Sequence, residues 1–241
     1  MGNTICENYT AINKSIADIA KKAGRNSSEI KLVTVTKYKT SDEINQVISA
    51  GAKLLGENYP EETNKKIKEI GTKANEIEWH MIGHLQSRKI KFILEHFSMI
   101  HSIDSFEIAR ELNKKLIMAN KVLPALFEVN VSGEETKHGF PAANPDSWAQ
   151  LIDQWILMMR ETRNIKFVGL MTMPPYAQKA EDSRKYFIKC RELREYYIKR
   201  TGNNSFNELS MGTSIDYPVA IEEGATFIRI GEAIMGKRSY I

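Results

Sequence analysis

"KLVTVTKYKTSDEINQVISAG", residues 31–51, decides how the rest of the sequence is read. Its opening is apolar and β-branched, the composition of a buried strand, and the strand is expected over about residues 31–37. The period then changes. Thr40 and Glu43 stand at capping-box spacing, Ile44, Val47 and Ile48 supply one apolar helical face, and Gly51 stands where a helix would stop. A strand that feeds a helix within a few residues is one β/α unit. The fold then depends on how often that unit recurs.

Outward from it, short apolar runs follow at "KLLGEN", "EWHMIG", "SMIHSID", "PALFEVNV", "FVGLMTM", "NELSMG" and "TFIRIGEAIMG". With the first they make eight candidate strands, and helical periods separate most of them. One helical face carries Trp148, Leu151, Ile152, Trp155 and Met159; another carries Tyr186, Cys190, Leu193 and Tyr197. Upstream, Ile5, Tyr9, Ile12, Ile16 and Ile19 mark a helix before the first strand. Strands alternating with helices pair in parallel through right-handed crossovers. Eight such units predict an α/β fold, a single (β/α)8 TIM barrel with an extra N-terminal helix, rather than a doubly wound sheet. A Rossmann sheet would need G-x-G-x-x-G after an early strand, and nothing near residue 37 or 56 supplies it. No linker or low-complexity block divides the chain, so residues 1–241 are expected to form one domain. "SGEETKHGFPAANPDS" is expected to be a surface loop over one end of the barrel.

The totals fit that fold. A chain of 241 residues buries roughly 70–75% of the surface it exposes when unfolded. With 34 Lys+Arg against 30 Asp+Glu, the net charge of +4 is too dilute for a nucleic-acid surface but suits a small anion. "NKKIKEIGTK" and "RKIK" read as solvated helix faces. Cys6 and Cys190, far apart, read as reduced packing thiols of an intracellular protein. No apolar run reaches the ~18 residues of a membrane helix. "MGNTICENYT" has no signal-peptide pattern, and after Gly2 the myristoylation pattern wants Ser or Thr where Cys6 stands. The expectation is a soluble, cytoplasmic protein with no membrane or nucleic-acid partner.

In such a barrel ligands bind at the C-terminal ends of the strands, and phosphates often bind after the seventh and eighth. Lys37 ends the first strand, Asn58 the second and Gly83 the third. In "LSMGTSIDYPVAIEEG", Ser210, Thr213 and Ser214 offer hydroxyls, and Gly212 lets a ligand approach the backbone. A helix beginning near Ser214 would present free N–H groups to a phosphate; otherwise Ser214 simply caps it. In "FIRIGEAIMGKR", Arg229 lies inside a buried strand and must reach solvent, a carboxylate or a ligand, and Gly231 clears space beside it. Lys37 would point across the mouth. A neutral amine there condenses with an aldehyde, of a sugar or of pyridoxal phosphate; a charged one snorkels to water. Pyridoxal phosphate presents an aldehyde, a phosphate and a ring nitrogen, which match Lys37, the serine-glycine loop and Arg229 together. His80 and His84 lie four apart on a strand and turn without an H-E-x-x-H pattern, so no metal site is expected and His80 should hydrogen-bond inside the barrel.

Taken in order, "VTVTKYKT", "LLGENYPEE", "EWHMIGHLQSRK", "HSIDS", "FEVNVSGEETKHGF", "VGLMTMPP" and "ELSMGTSIDYPVAIEEGATFIRIGEAIMGKR" resemble the pyridoxal phosphate homeostasis proteins, from about Ile30 to Arg238. The resemblance implies an alanine-racemase N-terminal-domain-like barrel binding pyridoxal 5'-phosphate as a Schiff base on Lys37. It implies phosphate contacts at Ser210, Gly212 and Ser214, Arg229 near the pyridine nitrogen with Gly231 after it, and Asn58 beside the cofactor. It further implies a monomer that buffers or delivers the cofactor to pyridoxal-phosphate-dependent apo-enzymes, with no catalytic residue. Two positions depart from the family: Glu232 replaces a common Thr after R-I-G, and Thr40 replaces a common Pro. Related racemases and decarboxylases add a mostly β second domain. This sequence reaches Ile241 directly after its eighth strand, so none is expected, and the alternative of an alanine-racemase-type enzyme lacks an assignable second acid/base facing Lys37.

Overall fold

The computed structural model describes residues 4–237; Gly2, Arg238 and Ile241 lie outside the described residues. Helix α1 (Ile5–Lys22) opens on a reciprocal capping box between Thr4 and Glu7. Strand β1 (Lys31–Val35) is shorter than the expected 31–37. Thr36 N still donates to Gly56 O at 3.1 Å, but Tyr38, at φ 62°, turns the chain out of the strand. Lys37 therefore sits in the turn beyond β1, half-buried. Thr40 caps α2 (Ser41–Ser49) through the expected box with Glu43.

The remaining elements are β2 (Leu54–Glu57), α3 (Pro60–Ile70), β3 (Glu78–Met81), α4 (Ile93–His96), β4 (Phe97–Ile103), α5 (Phe106–Met118), β5 (Leu123–Asn130), β6 (Phe140–Pro141), α6 (Trp148–Glu161), β7 (Ile165–Met171), α7 (Arg184–Thr201), β8 (Glu208–Ser210), α8 (Tyr217–Glu222), β9 (Phe227–Ile230) and α9 (Glu232–Met235). The strands pair in the order β4-β3-β2-β1-β9-β8-β7-β5, and a β4–β5 pairing closes the ring. Every pairing is parallel. The closed eight-stranded barrel is the expected fold. The long loop after β5 is more ordered than expected, because β6 inside it returns to pair Phe140 with Val129.

Alternation along the strands builds two cores. Outward residues such as Leu55, Met81, Phe127 and Ile228 pack with Trp155, Phe187 and Leu193 of the helices. The Phe127 ring stacks between Trp155 (centroids 4.5 Å apart) and Phe167 (4.0 Å); each such ring fully buried contributes about 1.5–3 kcal/mol. Inward residues Val33, Met99, Leu126, Met171 and Phe227 form a second cluster that fills the barrel. One charged stretch departs from the solvated-face reading. Lys66 on α3 is buried, its Nζ 2.7 Å from the fully buried Glu57.

Helix α1 ties the start of the chain to its later elements. Asn8 Nδ2 donates to Ile234 O (3.2 Å), Ser15 and Tyr217 hydroxyls share a hydrogen bond (2.8 Å), and Arg25 Nη1 donates to Ile221 O and Ala225 O (both 2.8 Å).

Candidate functional site

The turn that carries Lys37 is fastened on both sides. Before it, Thr36 Oγ1 donates to Glu57 Oε1 (2.7 Å), and Lys66 Nζ donates to Thr36 O (3.0 Å) as well as to Glu57. Burial pushes the Glu57 carboxyl up, while the Lys66 ammonium opposes that shift. After it, the Tyr38 and Tyr59 hydroxyls hydrogen-bond with their rings 5.3 Å apart. Lys39 Nζ binds Glu43 (3.0 Å) and Lys237 O (3.3 Å). The backbone under the amine is thus pinned by a buried ion pair as well as by the Thr36–Gly56 strand hydrogen bond.

Asn58 follows β2, packed on Gly83: a Cβ at 83 would lie 2.8 Å from Asn58 Cα and Nδ2. Its Oδ1 is buried with no hydrogen-bond partner among the described residues, as are several other polar atoms of the chain. Such an acceptor costs about 1–3 kcal/mol, and a donor from outside the chain would satisfy it.

Arg229 shares the inward face of β9 with Phe227 and is 4% exposed. Nη1 donates to Ser210 Oγ (2.5 Å), and Nη2 to Thr172 O (2.9 Å) beside Met173 Sδ (2.8 Å). Its close partners are neutral; among the described residues it forms no ion pair. Burial lowers its pKa to about 10, partly offset by Asp216 and Glu128, so it stays charged at neutral pH. Behind it runs a polar chain across the barrel: Ser210 Oγ to His101 Nδ1 (2.8 Å), and His101 Nε2 to His80 Nδ1 (2.9 Å). Burial holds both imidazoles neutral, His80 down to about 3 and His101 well below its usual range. His80 thus bonds inside the barrel as expected. Ser210, expected at a phosphate, has its hydroxyl placed on Arg229 and His101, where it orients the guanidinium.

Above this layer lies the loop 211–216. Gly212 adopts φ 93°, its carbonyl accepts from Arg229 N (3.0 Å), and a Cβ there would come within 2.5 Å of Ala220 Cβ. Thr213 N and Oγ1 both donate to Asp216 Oδ1 (2.7 and 2.9 Å). The helix begins at Tyr217 with Asp216 as its N-cap residue, not near Ser214. Ser214 Oγ instead accepts from Ala233 N (3.3 Å), joining this loop to the first turn of α9. Gly231 allows the close approach of β9 to β1, since a Cβ would lie 3.3 Å from Val35 Cβ. The turns after β8 and β9 therefore converge beside the end of β1. This is where a phosphate, a ring nitrogen donor and an amine would be needed together, and the residues present fit such a group.

Two residues escaped the sequence reading. Glu128 is buried on the inward face of β5 with Leu126, and burial, with Asp104 nearby and Arg229 opposing, raises its carboxyl to about 7. His101 sits inside "SMIHSI". The signal in both cases was a polar residue at an inward register position of an apolar run.

A family model described as "Alanine racemase, N-terminal domain" matches residues 8–239. A pyridoxal phosphate homeostasis protein of Aquifex aeolicus is 39% identical over 98% of this chain and 99% of its own. One of Escherichia coli K12 is 34% identical over 99% and 98%. Among solved structures, PipY of Synechococcus elongatus PCC7942 with PLP bound is 28% identical, covering 92% of this chain and 100% of that one, with a TM-score of 0.77. An alanine racemase of Clostridium difficile 630, at 14% identity and a TM-score of 0.67 over 95% of this chain and 56% of its own, shares the fold.

Proposed function

The chain belongs to the family of pyridoxal phosphate homeostasis proteins, built on the alanine racemase N-terminal domain, and we propose that it binds pyridoxal 5'-phosphate as a Schiff base on Lys37, holding the cofactor rather than turning over a substrate. The observation that carries this reading is Arg229, a buried guanidinium whose hydrogen-bond partners are all neutral, at the mouth of a barrel. When bound, the cofactor supplies an electrophilic aldehyde and an electron-withdrawing ring. Lys37 provides the amine for the aldehyde. The loop 211–216 and the first turn of α9 provide backbone N–H groups for the phosphate. Arg229 stays charged at neutral pH, donates toward the ring nitrogen and leaves it unprotonated, which weakens the ring as an electron sink. Asn58 lies beside the cofactor with an acceptor to offer. On this reading the protein is a cytoplasmic monomer of one domain that serves vitamin B6 homeostasis and amino-acid metabolism by supplying apo-enzymes.

Purified wild-type protein should be yellow and should retain the cofactor covalently after borohydride, whereas Lys37→Ala should do neither. A Lys37→Ala protein with an unchanged, reducible chromophore overturns the assignment. One observation favours a second reading, an amino-acid racemase. The Glu128 carboxyl, near neutrality on the inward face, is the kind of second acid/base such an enzyme needs. That reading requires steady racemisation of alanine or another amino acid, lost in both Lys37→Ala and Glu128→Gln.

A further inference from the structure

No metal site was expected from the spacing of His80 and His84, and among the described residues His84 does not have His80 as a partner. It meets two residues far from it in sequence. Its Nδ1 lies 2.8 Å from Asp104 Oδ2, and its ring stacks on His138 with centroids 4.4 Å apart and planes 16° apart. One nitrogen from each imidazole and one oxygen from the carboxylate lie mutually within 4.8 Å. We propose that His84, Asp104 and His138 form a binding site for a divalent first-row transition ion on the rim of the barrel mouth.

The three residues follow three consecutive strands, β3, β4 and β5. Those strands lie on one arc of the ring, whereas β1, β9 and β8, which carry Lys37, Arg229 and the loop 211–216, lie on the other. The site is built, not a chance meeting of mobile chains. Gly139, at φ 106°, presses so closely on β5 that a Cβ would lie 2.8 Å from Glu128 O, and β6 pairs immediately after it. His138 is therefore held one residue from a fixed point. On the other side of the loop, Asn130 Oδ1 accepts from Ser132 N (3.2 Å) and Gly133 N (2.9 Å). Asp104 keeps only 9% of its side chain exposed, so its carboxylate has little freedom to swing away.

Two imidazoles and one carboxylate are the donor set of open zinc and non-haem iron sites, with the remaining positions left to water. Metal–nitrogen and metal–oxygen bonds of about 2.0–2.2 Å bring ligand atoms to roughly 3.3 Å from one another, so the group must draw in by up to about 1.5 Å. The exposed His84 and His138 rings can supply that movement. Thiolate-preferring ions are disfavoured, because Cys6 and Cys190 lie elsewhere, on α1 and α7.

The test uses the full chain without a histidine tag, stripped by chelator and titrated with Zn2+ alone by calorimetry. It does not require pyridoxal phosphate, so its outcome is separate from that of the cofactor reading. One saturable equivalent is expected, weakened about tenfold or more by His138→Ala, His84→Ala and Asp104→Asn, and unchanged by His96→Ala. Co2+ should give visible bands of a nitrogen- and oxygen-ligated ion, lost in His138→Ala. Circular dichroism of each metal-free variant checks that the barrel is intact. No saturable binding, or equal affinity in wild type and the three folded ligand variants, overturns the site.

Discussion

The carboxyl of Glu128 shows how much one inward-facing residue can dictate. Its pKa rises from an ordinary 4.5 to about 7. Between those values the native state holds a proton that the unfolded chain releases, so stability falls as pH rises through that window. The full penalty is roughly 3 kcal/mol and is complete above about pH 7. His80 works in the opposite direction. Its pKa falls from 6.5 to about 3, so the unfolded chain takes up the proton and stability rises with pH across that range. Denaturation midpoints measured from about pH 5 to 8 should show Glu128→Gln gaining on wild type until about pH 7 and holding a constant advantage beyond. A difference that is flat with pH would mean that the carboxyl is ionised throughout. Residue identity alone was readable for Lys37 and Arg229, because a cation at the end of or inside an apolar run demands a reason. The partners of Ser210 were not, since nothing in "LSMGTS" reveals that a histidine more than a hundred positions earlier faces the same hydroxyl.

Among the elements, β2 and α3 depend on each other through one buried pair, Glu57 and Lys66. Lys66→Met should leave the Glu57 carboxylate without its cation and cost about 3–5 kcal/mol by chemical denaturation, whereas joining it with Glu57→Leu should restore most of that loss. An equal loss in both would assign the effect to packing. On the opposite side of the mouth, Gly212→Ala puts a methyl against Ala220 at an unfavourable φ, a strain of about 1–3 kcal/mol. Its lowered melting temperature should be accompanied by weakened retention of pyridoxal phosphate, and unchanged retention would place the phosphate elsewhere. Element existence was legible from periodicity, as with the α2 capping box. Element ends were not: β1 stops at Val35 because Tyr38 turns the chain, and β6 pairs over two residues, too few to register as a pattern. Lys66 lay hidden in a run of charges because sequence shows how many lysines a helix has, not which one meets a buried glutamate.

For the whole molecule, counting strands was sufficient to find the barrel, since eight parallel units leave few ways to close. What counting could not provide was the clustering of side chains contributed by successive strand ends, such as His84, Asp104 and His138. Ring closure also has a consequence for how the protein is made. β1 leaves the ribosome well before its neighbour β9 and before the α1 partners Tyr217, Ile221, Ala225 and Ile234. Until then the nascent chain carries an open sheet edge on β1 and an apolar face on α1, the kind of surface that attracts unwanted strand pairing. Closure must await the release of β9. The interval between starting β1 and completing β9 is therefore when a growing chain is most exposed to aggregation and most in need of chaperone cover.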